Sequence, residues 1–492
     1  MSILDPKPVT QAGLDTKVKD AIENTSSATR GALNVTYAPA SGSASYAKRG
    51  NYRIQDPIGA IPAVATGGPT VTLTNNTGLS STITTGRKAN AAGWYASIAP
   101  TNTASFRFLG TGGLFNNNSA DAFPDNFSVA FPTVGNAGRI ESVFDGAQIE
   151  YLIKQVVGAQ YWIKVDGQYL TTLPVTVAGT AGDSANVKLV FADRAVRRIE
   201  FEITNTRFYG AFIQVNDSLR ATATTTKRIV VMGDSYTGGA MAVSNLTTFA
   251  SKLAYLLGYK DYTVSGIGGT GYLAPGTSVK FRDRVQTDVV NLNADLVIVA
   301  GGHNDTSFTN AAIQAEADLL FKAIKAGASK PRLIVTGPLT QGAAVSSYTA
   351  MQAAIFAAAT SGGADATIDT TTNPIFTGTG SAGSRAVTDG ATTAASTTIT
   401  SNTAAFVAGD IGVVITGGTI PANTTIASVT NATTVVLSAA PTATASAVSL
   451  TITKQKLDGN SDLYIETDGV HPTQSGHDYL ANILAEAISA KL

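Results

Sequence analysis

Of the side chains able to do acid–base or covalent chemistry, the 492-residue chain uses histidine sparingly and cysteine not at all: His303, His471 and His477 are its three imidazoles. An imidazole base therefore has three possible positions. In YIETDGVHPTQSGHDYL, Asp468 precedes His471 by three residues, a spacing at which one tight turn holds the carboxylate against the ring. Such a pair takes a proton from a hydroxyl, because the carboxylate fixes the tautomer and stabilises the charged ring. The competing reading is a plain Asp468-Gly469 turn before a helix that starts after His471-Pro472. A hydroxyl to be served stands far upstream, at Ser235 in RIVVMGDSYTGGA. Ile229 to Met232 read as a buried strand that Gly233-Asp234-Ser235 stop, which puts Ser235 at a strand-to-helix turn. There its hydroxyl can cap the helix, or act as a nucleophile above the end of a parallel sheet.

Acyl transfer through a serine also needs donors aimed at the oxyanion. The strand DLVIVAGG leads into His303-Asn304-Asp305, on the same rim as Ser235, where the Asn304 side-chain amide can donate. DYTVSGIGGTGY sets Gly268 and Gly269 after another short strand, and a residue without a side chain can turn its N–H inward. Taken singly, Gly269 reads equally as a turn glycine and Asn304 as a helix cap.

The elements that must position these residues follow from periodicity. After Thr226 the pattern is β/α: strand 228–232, helix 240–258, strand 295–300, helix 311–327, strand 332–336, helix 347–360 and a final helix 474–490. Such alternation predicts a parallel sheet covered by helices on both faces. Residues 385–453, almost free of charge and dense in Thr, Ala and Val, carry repeated short strand signals and read as a small inserted β domain. Residues 51–225 show short Val-, Ile-, Tyr- and Phe-rich runs with a hairpin turn at Asp166-Gly167, the pattern of an antiparallel β-sandwich. Its aromatics, including Tyr151, Tyr161, Trp162 and Tyr169, are either sugar-stacking surfaces or core, core being the expectation. Residues 1–50 hold one short amphipathic pattern (Leu14, Val18, Ile22), too short to stand alone, and are expected to attach to another chain or to copies of themselves.

Composition narrows the rest. Charged residues are 14% and the formal net charge is zero, so nothing points to nucleic acid. No run approaches the ~18 apolar residues of a membrane span, and MSILDPKPVTQ lacks the regions of a signal peptide. The expectation is a soluble protein made without a secretion signal. The absence of cysteine excludes disulfides and thiolate zinc sites.

Together, four short blocks resemble the SGNH hydrolase, or GDSL esterase, superfamily: Gly233-Asp234-Ser235, Gly269, Gly302-His303-Asn304-Asp305 and Asp468-Gly469-Val470-His471, in that order on alternating β/α elements. The resemblance covers 226–384 and 454–492. It implies a three-layer α/β/α hydrolase domain and no cofactor. Ser235 would be the nucleophile, His471 the general base and acid, and Asp468 its orienter. The oxyanion hole would be the N–H groups of Ser235 and Gly269 and the Asn304 amide, aided by the positive end of the helix after Ser235. Asp234 is expected to brace the loop. His303 is expected to face away from the site, and His477 to be a surface or packing residue. The insert at 385–453 departs from the family pattern and bears on access to the site.

A β-sandwich ahead of such a domain resembles the jelly-roll-plus-hydrolase layout of some carbohydrate esterases that remove acetyl groups. The opening segment, especially ALNVTYA, resembles N-terminal pieces of bacteriophage tail proteins. FVAGDIGVVITGGTIPANTTIASVTNATTVVLSAA is similar to a β module of phage minor tail proteins. These resemblances imply a homotrimeric virion tail-fibre or receptor-binding protein, made in the host cytoplasm. It would join other tail or baseplate proteins through residues 1–50 and remove O-acyl groups from host cell-surface glycan or another acylated envelope component, without inserting into the membrane. The alternatives are a tail adhesin that binds glycan without catalysis and a non-viral carbohydrate acetylesterase.

Overall fold

The computed structural model describes residues 68–75, 81–83, 86–88, 105–110, 116–118, 123–125, 137–180, 182–222, 227–276, 278–342, 346–378, 384–453, 459–466 and 468–492. The attachment segment predicted for residues 1–50 lies outside them.

Two long strands, β1 (Ala137–Val165) and β2 (Ser184–Gln214), organise the first part of the chain. Each bends so that it borders the other twice: residues 137–142 and 160–165 of β1 both pair with 199–204 of β2. With shorter strands, among them Thr70–Asn75 and Ser218–Arg220, they form one connected eight-stranded sheet with antiparallel pairings. The predicted turn is present, Asp166 and Gly167 both having positive φ (50° and 88°), the geometry a two-residue hairpin demands. Tyr151, Tyr161, Trp162 and Tyr169 are all buried. Tyr151 stacks on Phe201 with centroids 4.5 Å apart, and Trp162 on Tyr169 at 3.7 Å. Of the two readings for these rings, sugar-stacking surface is the one that fails.

The α/β part opens with β3 (Arg228–Gly233), a one-turn helix α1 (Ser235–Gly238) and α2 (Phe249–Leu256). Then come β4 (Asp261–Gly266), α3 (Phe281–Asp288), β5 (Leu296–Ala300), α4 (Asn310–Lys325), β6 (Arg332–Thr336), α5 (Ser346–Ser361) and β7 (Ala366–Ile368). The strands lie in the order β4-β3-β5-β6-β7, all parallel. Side-chain alternation makes three layers of this sheet. Ile229, Val231, Leu296 and Ile298 pack on one face with Phe249 and Leu253 of α2 and with Leu480 and Leu484. Val230, Met232, Val297 and Val299 pack on the other with Phe281, Ile313, Phe321 and Ile355. Ile229 to Met232 are fully buried, each stabilising the fold by roughly 1.5–3 kcal/mol relative to exposure.

The predicted helix at 240–258 is corrected. The first turn ends at Gly239, left-handed at φ 81°, and Met241 is also left-handed at φ 65°. The chain then restarts twice: the Ser244 side chain accepts from Leu246 N to cap a 3₁₀ turn at Asn245–Thr247, and that of Thr248 accepts from Ser251 N to cap α2. Apolar spacing alone does not register such polar caps. α3 stands where no helix was predicted, because its buried side includes Arg284 and Asp288, a salt-bridged pair at 2.9 Å, alongside Phe281 and Val285.

Between Arg385 and Ile452 lies a separate six-stranded sheet with antiparallel pairings around Ile399, Phe406, Ile415, Val435 and Leu450. Its roots are held together. Thr377 N–H donates to the Asn460 side chain at 2.7 Å and Ser461 N–H to the Thr377 carbonyl at 3.1 Å. The chain then re-enters the α/β part through α6 (Ser461–Tyr464) and ends in α7 (Gln474–Ser489).

Candidate active site

Because β3, β4 and β5 are parallel neighbours, their C-terminal ends open on one rim, where the loops that follow them meet. Ser235 follows β3 directly. Glycines allow the elbow to form: a Cβ on Gly233 would lie 2.1 Å from Thr237 Oγ1 and 2.3 Å from the Ala300 carbonyl oxygen. One on Gly266 would lie 2.0 Å from Gly238 N. The helix cap is Asp234, whose carboxylate accepts from Tyr236 N–H at 3.0 Å, so the Ser235 hydroxyl is not spent on capping. Burial pushes the Asp234 carboxyl up to about 7 against the opposing pull of that N–H. With α1 a single turn, the helix-end field expected at Ser235 is that of one turn.

The Ser235 hydroxyl lies 2.9 Å from His471 Nε2, and His471 Nδ1 lies 2.6 Å from Asp468 Oδ2. The other Asp468 oxygen accepts from the N–H groups of Val470 (2.9 Å) and His471 (3.0 Å), so one turn aims the carboxylate at its own histidine. Burial raises the Asp468 carboxyl, but the ring and backbone donors outweigh it and hold it below the ordinary range. An acceptor-only carboxylate requires a proton on His471 Nδ1, which leaves Nε2 to accept from Ser235. Gly469, left-handed at φ 72°, permits the turn. Glu466 N–H donates to the His471 carbonyl at 2.8 Å and closes it.

The loop after β4 is hung beside Ser235 by Ile267 N–H, which donates to the Gly233 carbonyl at 3.2 Å. A Cβ on Gly268 would lie 3.8 Å from Ser235 Cβ, and Gly269 is left-handed at φ 72°. Asn304, in the 3₁₀ turn after β5, donates one amide hydrogen to the Thr270 carbonyl at 3.0 Å. Its second amide hydrogen has no partner among the described residues. Asp305, fully buried, accepts from Tyr272, Leu273 and Ala274 N–H at 2.9, 2.8 and 2.9 Å. That carboxylate fastens the β4 loop to the β5 loop, a role that its place in a four-residue motif does not reveal.

Arg284 donates to the Gly233 carbonyl at 2.8 Å, to the Ser265 carbonyl at 3.0 Å and to Asp288 at 2.9 Å, bracing the elbow from below. His477 is a packing residue. Its ring lies parallel to Phe249, its Nδ1 accepts from Phe249 N–H at 3.3 Å and its Nε2 donates to the Ala240 carbonyl at 3.0 Å. Burial lowers it to about 4. His303 packs among aromatic rings next to the elbow. Its half-buried ring sits 5.6 Å from that of Tyr236, the residue after Ser235, and 5.6 Å from that of Tyr348, and its Nδ1 bonds to the Leu339 carbonyl at 3.0 Å.

Among the described residues, no group of three or more His, Asp or Glu side chains is placed to hold a metal ion. The arrangement can activate a hydroxyl and receive negative charge beside it.

No curated protein matches the chain. Among solved structures, it is similar to a family two carbohydrate esterase from Clostridium thermocellum in complex with cellohexaose, at 15% identity and a TM-score of 0.41, covering 54% of this chain and 88% of that one. A family two carbohydrate esterase from Cellvibrio japonicus gives 13% identity and a TM-score of 0.36, covering 61% and 88%. The acetyl xylan esterase Est2A from Butyrivibrio proteoclasticus gives 13% and 0.34, covering 61% and 89%. The profile of the GDSL-like Lipase/Acylhydrolase family matches residues 231–479, just over half of the chain, from the middle of β3 into α7. The chain belongs to the GDSL-like lipase/acylhydrolase family.

Proposed function

We propose that the protein is a serine esterase that removes O-acyl groups, acetyl above all, from a polysaccharide. The observation that carries the reading is the unbroken line Asp468–His471–Ser235, at 2.6 and 2.9 Å. Ser235 Oγ attacks the ester carbonyl as His471 Nε2 takes its proton. The resulting oxyanion is received by the N–H groups of Ser235 and Gly269 and the free amide hydrogen of Asn304. His471 then passes the proton to the leaving oxygen, the carbon–oxygen bond breaks and the alcohol departs, leaving Ser235 acylated. Water attacks that ester with His471 again as base, and the acid is released.

The setting we propose is a phage tail. Its support is the resemblance of the opening segment, ALNVTYA especially, and of FVAGDIGVVITGGTIPANTTIASVTNATTVVLSAA in the insert to segments of phage tail proteins. In that setting the protein is a trimeric virion component, and its substrate is the acylated surface glycan of the host.

The test is hydrolysis of p-nitrophenyl acetate and release of acetate from acetylated host cell wall, by the wild type and by Ser235→Ala. Turnover that falls by about 10³-fold or more in the variant supports the esterase. No activity in either protein, with equal binding of both to cells, makes the protein an adhesin. Detection in purified virions separates the tail protein from a free bacterial enzyme.

A further inference from the structure

Gln474 opens α7 with only Pro472 and Thr473 between it and His471. It does not cap that helix: the Thr473 hydroxyl does so, accepting from Gly476 N–H at 3.0 Å. Its amide grips the loop between α1 and α2 instead. Oε1 accepts from Val243 N–H at 2.9 Å and from the Thr247 hydroxyl at 2.8 Å. Nε2 donates to the Thr247 carbonyl and to Asp478 Oδ1, both at 2.9 Å. A backbone N–H only donates and a carbonyl only accepts, so these partners fix which end of the amide is which and use all of its hydrogen-bonding capacity.

The loop it grips is joined to the nucleophile, because Ala240 N–H donates to the Ser235 carbonyl at 3.0 Å. The same loop is anchored on the first sheet, where Leu246 is buried with Trp162 and Tyr169 and Asn245 donates to Thr204 Oγ1 at 3.3 Å. The segment that carries His471 is thus tied to the serine side both before and after the imidazole. Before it, the Val470 carbonyl accepts from the Tyr236 hydroxyl; after it, Gln474 holds Val243 and Thr247. Pro472, whose ring locks φ, leaves little slack between His471 and the second tie. One turn further along α7, His477 holds the Ala240 carbonyl at 3.0 Å. The helix therefore stays docked when Gln474 is changed, and what is lost is the aim of its first turn.

We propose that Gln474 is a positioning residue for proton transfer: by locking the first turn of α7 to the 243–247 loop, it keeps His471 Nε2 within hydrogen-bond reach of Ser235. Transfer requires that reach, and a displacement of about 1 Å costs rate steeply. Gln474 touches neither substrate nor reacting atoms, so its role rests on the esterase reading and acts only through His471.

The test is steady-state kinetics on p-nitrophenyl acetate with Gln474→Met, which fills the same space without making the four bonds. Competent sites are counted by labelling to completion with a fluorophosphonate, so that kcat is expressed per site. The expected result is a fall in kcat per site of about tenfold with KM nearly unchanged, and a labelling rate that falls in step, since both reactions need the same proton transfer. A merely structural role would lower the number of sites and leave kcat per site alone. That outcome, or a fall in kcat per site of less than about threefold, overturns the proposal. Should Gln474→Met fail to fold, Thr247→Val decides, because it removes one donor from the other side of the clamp. A kcat per site lower by about threefold supports the role, and an unchanged one overturns it. Wild-type turnover that the variants share in full removes the role of Gln474 alone, whereas no turnover by the wild type removes the esterase reading and this proposal together.

Discussion

The Tyr236 hydroxyl donates to the Val470 carbonyl at 2.5 Å. Tyr236 follows Ser235 and Val470 precedes His471, so one bond ties the two loops of the site across 234 positions of sequence. Tyr236→Phe deletes that bond while keeping the ring in the core, and leaves a carbonyl next to His471 unpaired. The expected result is a fall in kcat of about tenfold with KM nearly unchanged, because binding surfaces survive and alignment does not. Steady-state kinetics on p-nitrophenyl acetate check it, and an unaltered kcat would show that the His471 loop holds itself.

Asp468→Asn retains an oxygen for the Val470 and His471 N–H groups but tends to present an N–H to His471 Nδ1. The ring then carries its proton on Nε2 and can no longer accept from Ser235. A loss in kcat of about 10³- to 10⁴-fold is expected, with a matching drop in the rate at which a fluorophosphonate labels Ser235. Circular dichroism should be unchanged, since the substituted side chain is partly exposed.

Two glycines a short way apart should behave oppositely. A methyl at Gly266 meets Gly238 N at 2.0 Å and Gly238 Cα at 2.5 Å, backbone that cannot step aside. Gly266→Ala should cost about 3 kcal/mol or prevent soluble folding. A methyl at Gly268 has Ser235 Cβ at 3.8 Å as its nearest neighbour, so Gly268→Ala should stay within about 0.5 kcal/mol of the wild type. Urea unfolding of both variants measures the contrast.

Two buried groups give stability opposite pH dependences. His477 titrates near 4 when folded against 6.5 in the open chain. Between those values the unfolded chain holds the extra proton, so this contribution is lost as pH falls from 6.5 towards 4. For Asp234 the folded value is about 7 against 3.8. The folded state holds the extra proton in that window, so the contribution is present below 3.8 and lost as pH rises through 7. Asp234→Asn should therefore gain on the wild type by about 3 kcal/mol between roughly pH 5 and pH 8. His477→Gln should gain by a similar amount as pH falls from roughly 7 to 4.5. Urea titrations at the two ends of each window test both signs, and a variant that tracks the wild type across its window disproves that assignment.

What the sequence determined by itself is what short-range rules encode. The apolar runs at 228–232, 295–300 and 332–336, with helices between them, require a parallel sheet, and a parallel sheet puts the ends of its strands on one rim. Asp468 and His471 lie three residues apart, so their contact needs only a local turn. The helices at 310–325, 346–361 and 474–489 were legible to within two residues at either end, because each buries one apolar face.

Tertiary structure decided whatever depends on partners remote in sequence. The His303 ring is fixed by a carbonyl 36 residues away that binds its Nδ1. Asp305 became a clasp for three N–H groups only once the loop after β4, a strand separated from β5 by β3, brought residues 272–274 alongside it. The polar buried face of α3 and the bond from Tyr236 to Val470 belong to the same class. A polar side chain carries no periodic signature of burial; what it does is set by whichever donor or acceptor the fold delivers to it.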